Sequence, residues 1–259
     1  MIFPSIAKKI FGRFNMFICS NMETKKFLEK LNFENIFFKE NIKFISKVVD
    51  TKINEINENY LLKKKIWFAA SIHKNEDQFC LKTHLQIKKK IKDVVGIIAP
   101  RHIERSKEIC HLAKKLKLKA QILNKNEKIN EENKIIIINY FGALQNYFKY
   151  SKSVFIGKSI DKKFERDGGQ NPIEAAKLNC KIYHGQYVYN FQDIYKLLEK
   201  NNISKKIDNL DELSKNIIKD LSETSKKRYE PSVAINHLEQ KILNDTMELI
   251  NNFLFYGNK

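Results

Sequence analysis

The sequence predicts an α/β fold whose larger part is a Rossmann-like, doubly wound parallel sheet. From Lys65 onward, short apolar runs recur, and each is followed by a polar turn and a segment with helical spacing. Continuous apolar runs are typical of strands buried on both faces, and their alternation with helices indicates a parallel sheet. The chain has 259 residues, 42% of them hydrophobic, so it can fill a sizeable core.

Residues 1–50 are predicted to form a partial N-terminal α/β domain. Apolar residues at helical spacing between positions 5 and 31 predict two helices, with a break and a new cap at Ser20-Asn21. Residues 36–38 are predicted as a strand, and residues 42–44 as the end of its exit loop.

Residues 65–230 are predicted to form the second domain, after a polar linker at 51–64 that has no clear apolar face. Residues 231–259 carry apolar side chains at helical spacing, which predicts a helix that packs back on this domain or toward the first one. Six apolar runs are predicted as strands of the second domain: residues 66–70, 94–99, 120–123, 135–138, 154–157 and 181–183.

The net charge is +18, because the chain has 48 lysines and arginines and only 30 acidic residues. A basic surface attracts polyanions, but the lysines are spread along the whole chain, so compositional bias explains the charge equally well. We expect anionic lipid head groups or a phosphorylated substrate as partners, ahead of nucleic acid, because no nucleic-acid recognition signature occurs. The sequence has neither an apolar run of membrane-spanning length nor a signal peptide, and its four cysteines are scattered; this predicts a cytosolic chain with reduced thiols.

Polar residues directly follow the predicted strands, at the edge where open α/β sheets bind ligands. His73 and Glu76 fit either an acid/base pair or a helix start, and Arg101 fits either a phosphate contact or a solvated loop residue. The histidines are dispersed and no Asp-x-Asp motif occurs, so no metal site is predicted. The segments concerned are Ser71 to Glu76 after the first strand, Pro100 to His102 after the second, and Asn139 to Leu144 after the fourth.

The segment after the fifth strand ends in two glycines and a predicted helix start. Asn171 is predicted to cap this helix, Pro172 suits its first position, and Glu174 can reach back to free backbone N–H groups. Such a start favours an anion, and paired glycines allow the backbone to approach a ligand closely. Glu174 is therefore either a capping residue or a carboxylate that accepts hydrogen bonds from ribose hydroxyls.

Taken in order, these segments resemble the C-terminal domain of 3-deoxy-D-manno-octulosonic acid (Kdo) transferases, which are inverting GT-B glycosyltransferases. Ser71, His73 and Glu76 match the family's Ser-Thr-His-x-Gly-Glu segment, and Pro100, Arg101, His102 and Arg105 match Pro-Arg-His-x-x-Arg. Residues 168–174 correspond to Gly-Gly-His-Asn-Pro-Leu-Glu. The remaining matches are Gly185, Asn190 and Phe191 with a Gly-Pro-His plus Asn-Phe pattern, and Glu40 to Phe44 with the exit from the first domain.

The chain departs from the family pattern mainly after the fourth strand, where residues 139–144 replace Asp-Thr-x-Gly-Glu-Leu and both acids are lost. Ile72, Asn75 and Gln170 also replace the usual Thr, Gly and His. If the family's turn holds the nucleotide through its backbone, Ala143 can serve in place of the glutamate. If the glutamate side chain is needed, nucleotide affinity should fall.

The resemblance implies a metal-independent transferase that moves Kdo from CMP-Kdo to a lipid A precursor at the cytoplasmic face of the bacterial inner membrane. It implies no catalytic residue in this chain, because the general base belongs to the part of the N-terminal domain expected upstream. The alternative is a noncatalytic CMP-binding module or one part of a split enzyme. The nucleotide-binding residues implied are Pro100, Arg101, Phe141, Gly142, Ala143, Asn171, Pro172, Ile173 and Glu174; Ser71, His73 and Glu76 are candidates for the donor-sugar side.

Overall fold

The computed structural model describes residues 4–39, 42, 45, 53–223 and 233–256. The chain divides into two compact units. The smaller unit combines residues 1–47 with residues 233–259, and the larger unit comprises residues 48–232. None of the helices in the described part of the chain is long and apolar enough to cross a membrane.

The smaller unit contains a strand-helix-strand element. Strands β1 (Phe17–Cys19) and β2 (Ile36–Phe38) pair in parallel around helix α2 (Met22–Lys30). The unit also contains helix α1 (Pro4–Phe11) and the long helix α10 (Val233–Tyr256), which confirms the predicted C-terminal helix.

Asn21 caps α2 as predicted, because its side-chain oxygen accepts a hydrogen bond from the amide of Thr24 at 2.7 Å. The prediction of two helices between 5 and 31 was wrong at Phe17 and Ile18, which belong to β1. The three residues Phe-Ile-Cys are too few to show a period of two, and pairing with β2 decides their conformation. Of the predicted exit loop at 42–44, all but Ile42 lies outside the described residues, as does most of the motif at 40–44.

The larger unit is a parallel sheet of seven strands with helices between them. Its helices are α3 (Glu55–Leu62), α4 (Glu76–Lys90), α5 (Ser106–Lys115), α6 (Leu144–Phe148), α7 (Ile173–Lys177), α8 (Gln192–Lys200) and α9 (Leu210–Ser222). Its strands are β3 (Lys65–Ile72), β4 (Val94–Pro100), β5 (Ala120–Leu123), β6 (Ile135–Ile138), β7 (Ser153–Ile156), β8 (Lys181–His184) and β9 (Ser204–Lys206).

All six predicted strands of the Rossmann-like sheet are confirmed, and they are apolar because the sheet is covered on both faces. Residues 135–138 of β6, for example, are four fully buried isoleucines. Burial of one such side chain stabilises the fold by about 1.5–3 kcal/mol. The seventh strand, β9, was not predicted, because its sequence Ser-Lys-Lys is polar and it lies at the sheet edge beside β8.

The predicted linker at 51–64 contains helix α3, and this helix belongs to the larger unit. The buried side chain of Asn57 donates to the carbonyl of Glu127 and accepts from the amide of Ile129, both at 2.8 Å. Tyr60 and Leu61 are also buried. The buried face of α3 thus consists of one amide side chain and two adjacent apolar residues. This is too few apolar positions for the helix to be recognised by periodicity.

The strand order is β5-β6-β4-β3-β7-β8-β9. Within this sheet the chain runs from β3 outward to β4 and then to the edge strand β5, steps back to β6 between them, and crosses to the other side of β3 with β7. The direction of winding therefore reverses between β3 and β7, and ligands of doubly wound sheets bind in the crevice that such a reversal opens at the carboxyl ends of the strands.

Candidate functional site

Four neighbouring strands, β6, β4, β3 and β7, carry the predicted site segments at their carboxyl ends. The loops after β4, β3 and β7 contact one another. Arg101 donates its backbone N–H to the carbonyl of Ile72 at 2.9 Å. The rings of His73 and His102 pack edge-on, with their centres 5.7 Å apart. Strands β6 and β7 are three spacings apart, which places their ends about 14 Å from each other. The edge is thus wide enough to hold an extended ligand such as a nucleotide.

Glu76 joins the turn after β3 to the loop after β7. Its carboxylate accepts backbone N–H groups of His73 at 2.9 Å and Lys158 at 2.7 Å. It also accepts those of Ser159 at 2.8 Å and Ile160 at 3.3 Å. One side chain therefore fixes the backbone on both sides of the crevice.

The Glu76 side chain is completely buried, so the structure does not support its predicted place on the donor-sugar side. Burial raises the pKa of its carboxyl, while the four backbone hydrogen bonds act in the opposite direction. Glu76 is the first residue of α4, and its carboxylate accepts the amide of His73 in the turn that leads into this helix. Of the two alternatives for this pair, the geometry matches the helix start rather than the acid/base pair.

His73 is half-buried in the crevice among cationic groups. Its ring contacts His102 and Phe164, and its Nε2 lies 3.4 Å from the side-chain nitrogen of Gln170. Burial, followed by the positive charge of Lys158, lowers the pKa of His73 to about 4. His73 is therefore neutral at pH 7, and an anion placed beside it would be stabilised by its neighbours. The adjacent Ser71 is partly exposed, with a backbone φ of 54°.

Arg101 and Arg105 of the Pro-Arg-His-x-x-Arg motif have different environments. Arg101 follows the buried Pro100 and is exposed, so its guanidinium is accessible to a ligand. Arg105 forms ion pairs with the buried Asp77 of α4 and with Glu108 of α5. The second arginine of the motif thus ties two helices together and leaves the first to face the crevice.

The turn after β6 keeps two accessible residues. Phe141 is 75% exposed, and Gly142 has a backbone φ of 78° with no atom within 4 Å of where a Cβ would lie. Ala143 is buried at the start of α6. The two preceding polar residues are engaged within the larger unit, Asn139 with Asn124 at 2.8 Å and Tyr140 with Tyr147 at 3.0 Å.

The segment 168–174 forms a turn and a short helix, as predicted. The Asn171 side-chain oxygen accepts from the amide of Ile173 at 3.0 Å, but α7 begins at Ile173, so Pro172 precedes the helix instead of opening it. Pro172 and Ile173 are buried, and Glu174 is half-buried. Asn190 donates its backbone N–H to the Gly168 carbonyl at 2.9 Å and thereby fixes the glycine turn.

Three crevice residues were not identified from the sequence as individual site residues: Lys158, Phe164 and Gln170. Gln170 follows the two glycines, and its position alone could have indicated a site. Lys158 and Phe164 gave no signal, because one lies in a lysine-rich chain and the other in a loop without periodicity.

The described residues contain no group of three or more histidine, cysteine or acidic side chains placed to hold a metal ion. A cavity of about 630 Å³ lies at β8, β9 and α9, and none of the predicted site residues lines it. The crevice at the carboxyl edge, rather than this cavity, unites the predicted residues.

Comparison with known proteins decides what this arrangement is related to. The chain is 31% identical over 173 residues to the 3-deoxy-D-manno-octulosonic acid transferase of Haemophilus influenzae. These aligned residues make up 66% of this chain and 38% of that enzyme. It is 26% identical over 210 residues to the enzyme of the same name from Aquifex aeolicus, covering 81% of this chain and 55% of the relative. The chain is a relative of the Kdo transferases. The resemblance seen in the motifs is thereby confirmed, although no protein-family model matches.

Solved structures agree with this relationship at the level of the fold. The C-terminal CMP-Kdo binding domain of WaaA from Acinetobacter baumannii superimposes with a TM-score of 0.58 at 19% identity, covering 81% of this chain and 99% of that domain. Trehalose-6-phosphate synthase OtsA gives a TM-score of 0.52 at 10% identity. The Rossmann-like fold is confirmed. The chain spans 38% and 55% of the length of the two Kdo transferases named above.

Proposed function

We propose that this chain supplies the donor-binding half of a Kdo transferase and binds CMP-Kdo at the carboxyl edge of its seven-stranded sheet. The observation that carries the proposal is the meeting of three motif-bearing loops, after β4, β3 and β7, at the point where the winding reverses. The WaaA domain of similar fold is described as binding CMP-Kdo.

In this proposal the base lies at the turn at Phe141, the ribose lies beside it toward α7, which packs against α6, and the phosphate lies at Arg101. Arg101 offers a planar pair of donors to the phosphate, and the exposed ring of Phe141 offers a surface for the base. The half-buried Glu174 and the side chain of Asn171 lie at the start of α7, where a carboxylate can accept hydrogen bonds from ribose hydroxyls. His73 and Ser71 lie beside Arg101 at the carboxyl end of β3, on the donor-sugar side. No metal enters the proposal.

The donor site is tested by calorimetric titration of the purified chain with CMP, and with UMP and AMP as comparisons. We expect selective CMP binding, and a loss of affinity of roughly tenfold or more in Arg101→Ala, because a charge-assisted contact to phosphate is removed. Arg13→Ala, which removes an arginine of the smaller unit, is the matched control and should bind as the unchanged chain does. Equal affinity for the three nucleotides would contradict the assignment.

The transfer step is a separate part of the proposal. The chain, joined to the N-terminal half of a Kdo transferase relative, is expected to transfer radiolabel from CMP-Kdo to a lipid A precursor. Selective CMP binding without transfer would favour the alternative, a noncatalytic CMP-binding module. No general base is assigned to this chain.

The acceptor is a lipid in this proposal, and transfer would take place at the cytoplasmic face of the inner membrane. Helix α1 supports contact with a membrane surface. Ile6 and Ile10, one turn apart, are 52% and 55% exposed, and Lys8 and Lys9 lie on the same short helix. A basic amphipathic helix of this kind suits an anionic membrane interface.

The membrane contact is tested by sedimentation with anionic vesicles. Binding should weaken as salt is added, because charge contributes to it, and should fall in the double variant Ile6→Ser, Ile10→Ser. Ile56→Ser, which removes an isoleucine of similar exposure (57%) from the larger unit, is the control. Vesicle binding that changes neither with added salt nor with the α1 substitutions would contradict this part of the proposal.

A further inference from the structure

Lys158 occupies a backbone position that suits glycine better than lysine. It lies two residues after β7 with a φ of 59°, in the left-handed region that side chains with a Cβ adopt at a cost. Its amide is held there by the Glu76 carboxylate at 2.7 Å. A long side chain kept in a conformation of this kind at a ligand crevice points to a use for that side chain.

The Lys158 side chain lies in the crevice beside the donor-sugar residues. It is 17% exposed, and its ammonium lies 5.9 Å from the centre of the Phe164 ring. Phe164 in turn packs edge-on against His73 at 5.3 Å. The positive charges of Lys158, Arg101 and Lys163 all act to lower the pKa of His73, so these three cations lie near its ring.

Lys163 and Lys158 differ in how freely they can change partner. Lys163 is bound to the carbonyl of Lys74 at 2.9 Å and to Asp161 at 3.3 Å, so it connects the two loops. Lys158 has one carboxylate partner among the contacts described for its ammonium, Asp167 at 2.8 Å. Of these two lysines, Lys158 is therefore the one that can more easily exchange its partner for a ligand.

Asp167 shows that the ammonium can hold a carboxylate in the crevice. Its side chain is 64% exposed, and an ion pair with so exposed a partner is weak because water competes for both charges. A carboxylate that arrives on a bound ligand could replace Asp167 at little cost. Kdo is an acid by its name, and it supplies such a carboxylate, which CMP lacks.

We propose that Lys158 binds the carboxylate of the donor's sugar acid, exchanging Asp167 for the ligand. This inference rests on the proposed function, since it requires CMP-Kdo to bind at the same edge of the sheet. It makes Lys158 the residue that distinguishes an acidic sugar from the nucleotide alone.

The test compares CMP and CMP-Kdo by calorimetry on the full chain. Lys158→Met should lower the affinity for CMP-Kdo by roughly tenfold and leave that for CMP unchanged, because one charge-assisted contact to the sugar is lost. Asp167→Asn should raise the affinity for CMP-Kdo by about threefold, since it removes the competing carboxylate. Lys162→Met, which removes an exposed lysine of the same loop, should change neither affinity.

Lys158→Gly separates binding from folding. It removes the charge and relieves the left-handed backbone, so it should lose CMP-Kdo affinity as Lys158→Met does while its melting temperature stays the same or rises. Equal losses for CMP and CMP-Kdo, or no loss for either, would overturn the role of Lys158 and leave the proposed function standing. If the unchanged chain binds neither ligand, the proposed function fails, and this inference fails with it.

Discussion

The two sides of the carboxyl edge differ in how firmly they are held. On the β3 and β7 side, the buried Glu76 carboxylate fixes four backbone amides. The side-chain rings of His73 and Phe164 also pack against each other and connect the two loops. On the β6 side, Gly142 has open space around it and Phe141 is largely exposed. The first side is preorganised and the second is accessible, which suits a sugar held in a fixed position and a base bound at the surface.

The largest expected effect comes from breaking the preorganised side at Glu76. Glu76→Ala leaves buried backbone amides without a partner and creates a cavity, so the free energy of unfolding should fall by about 3–5 kcal/mol. Glu76→Gln keeps the shape and one acceptor and should cost less. Chemical denaturation of both variants measures this, with the exposed Glu104→Gln as control. A loss as small as the control's would show that Glu76 does not hold the loops.

Two glycines test the same contrast by steric means. A Cβ at Gly185 would lie 2.1 Å from the carbonyl oxygen of Ser159, in the loop after β7. Gly185→Ala should therefore destabilise the chain by about 3 kcal/mol, as overpacking against backbone does. Gly142→Ala meets no atom within 4 Å and pays only for its φ of 78°, about 1 kcal/mol. Equal losses in thermal unfolding would mean that the two sides are equally crowded.

Histidines sharpen the comparison through pH. The pKa of His73 is lowered to about 4 and that of the buried His84 to about 3, both below the ordinary 6.5. As pH falls below 6.5, these histidines bind protons in the unfolded chain before they do so in the folded chain, so the free energy of unfolding falls. The loss approaches about 1.4 kcal/mol per pH unit for the buried His84 and is smaller for the half-buried His73, whose charge water screens. This loss continues down to the folded pKa of each group.

The variants His84→Gln and His73→Gln should each show a shallower fall in stability between pH 6.5 and 5 than the unchanged chain. They should differ when CMP is present. A bound anion raises the pKa of His73 and reduces its share of the slope, whereas His84 lies in the core against Trp67 and keeps its share. Denaturation curves at several pH values, with and without CMP, measure both slopes. If CMP changed the contribution of His84 to the pH slope as much as that of His73, the result would not place His73 in the site.

How far the sequence predicts this molecule depends on whether a signal is local. The apolar runs of β3 to β8 are local, and so is the cap at Asn21, and these predictions are confirmed. The role of Glu76 depends on amides more than 80 residues away in sequence. Local spacing could therefore identify the helix start at Glu76 but not its hydrogen bonds to the loop after β7. Lys158 adopts a backbone conformation that sequence reading associates with glycine. The polar strand β9 follows from pairing with β8, which no pattern within three residues reveals.

The smallest expected effect on stability comes from Phe141→Ala on the accessible side. Its ring is 75% exposed, so little apolar contact is lost and the free energy of unfolding should change by less than about 0.5 kcal/mol. If the ring stacks on the cytosine base, CMP affinity should still fall by roughly fivefold to a hundredfold, since such stacking contributes about 1–3 kcal/mol per base. Phe14→Ala, which removes a similarly exposed ring (58%) from the smaller unit, should change neither quantity. A folded Phe141→Ala chain that binds CMP with unchanged affinity would move the base away from β6, and would leave Arg101 and the loop after β7 as the nucleotide's contacts.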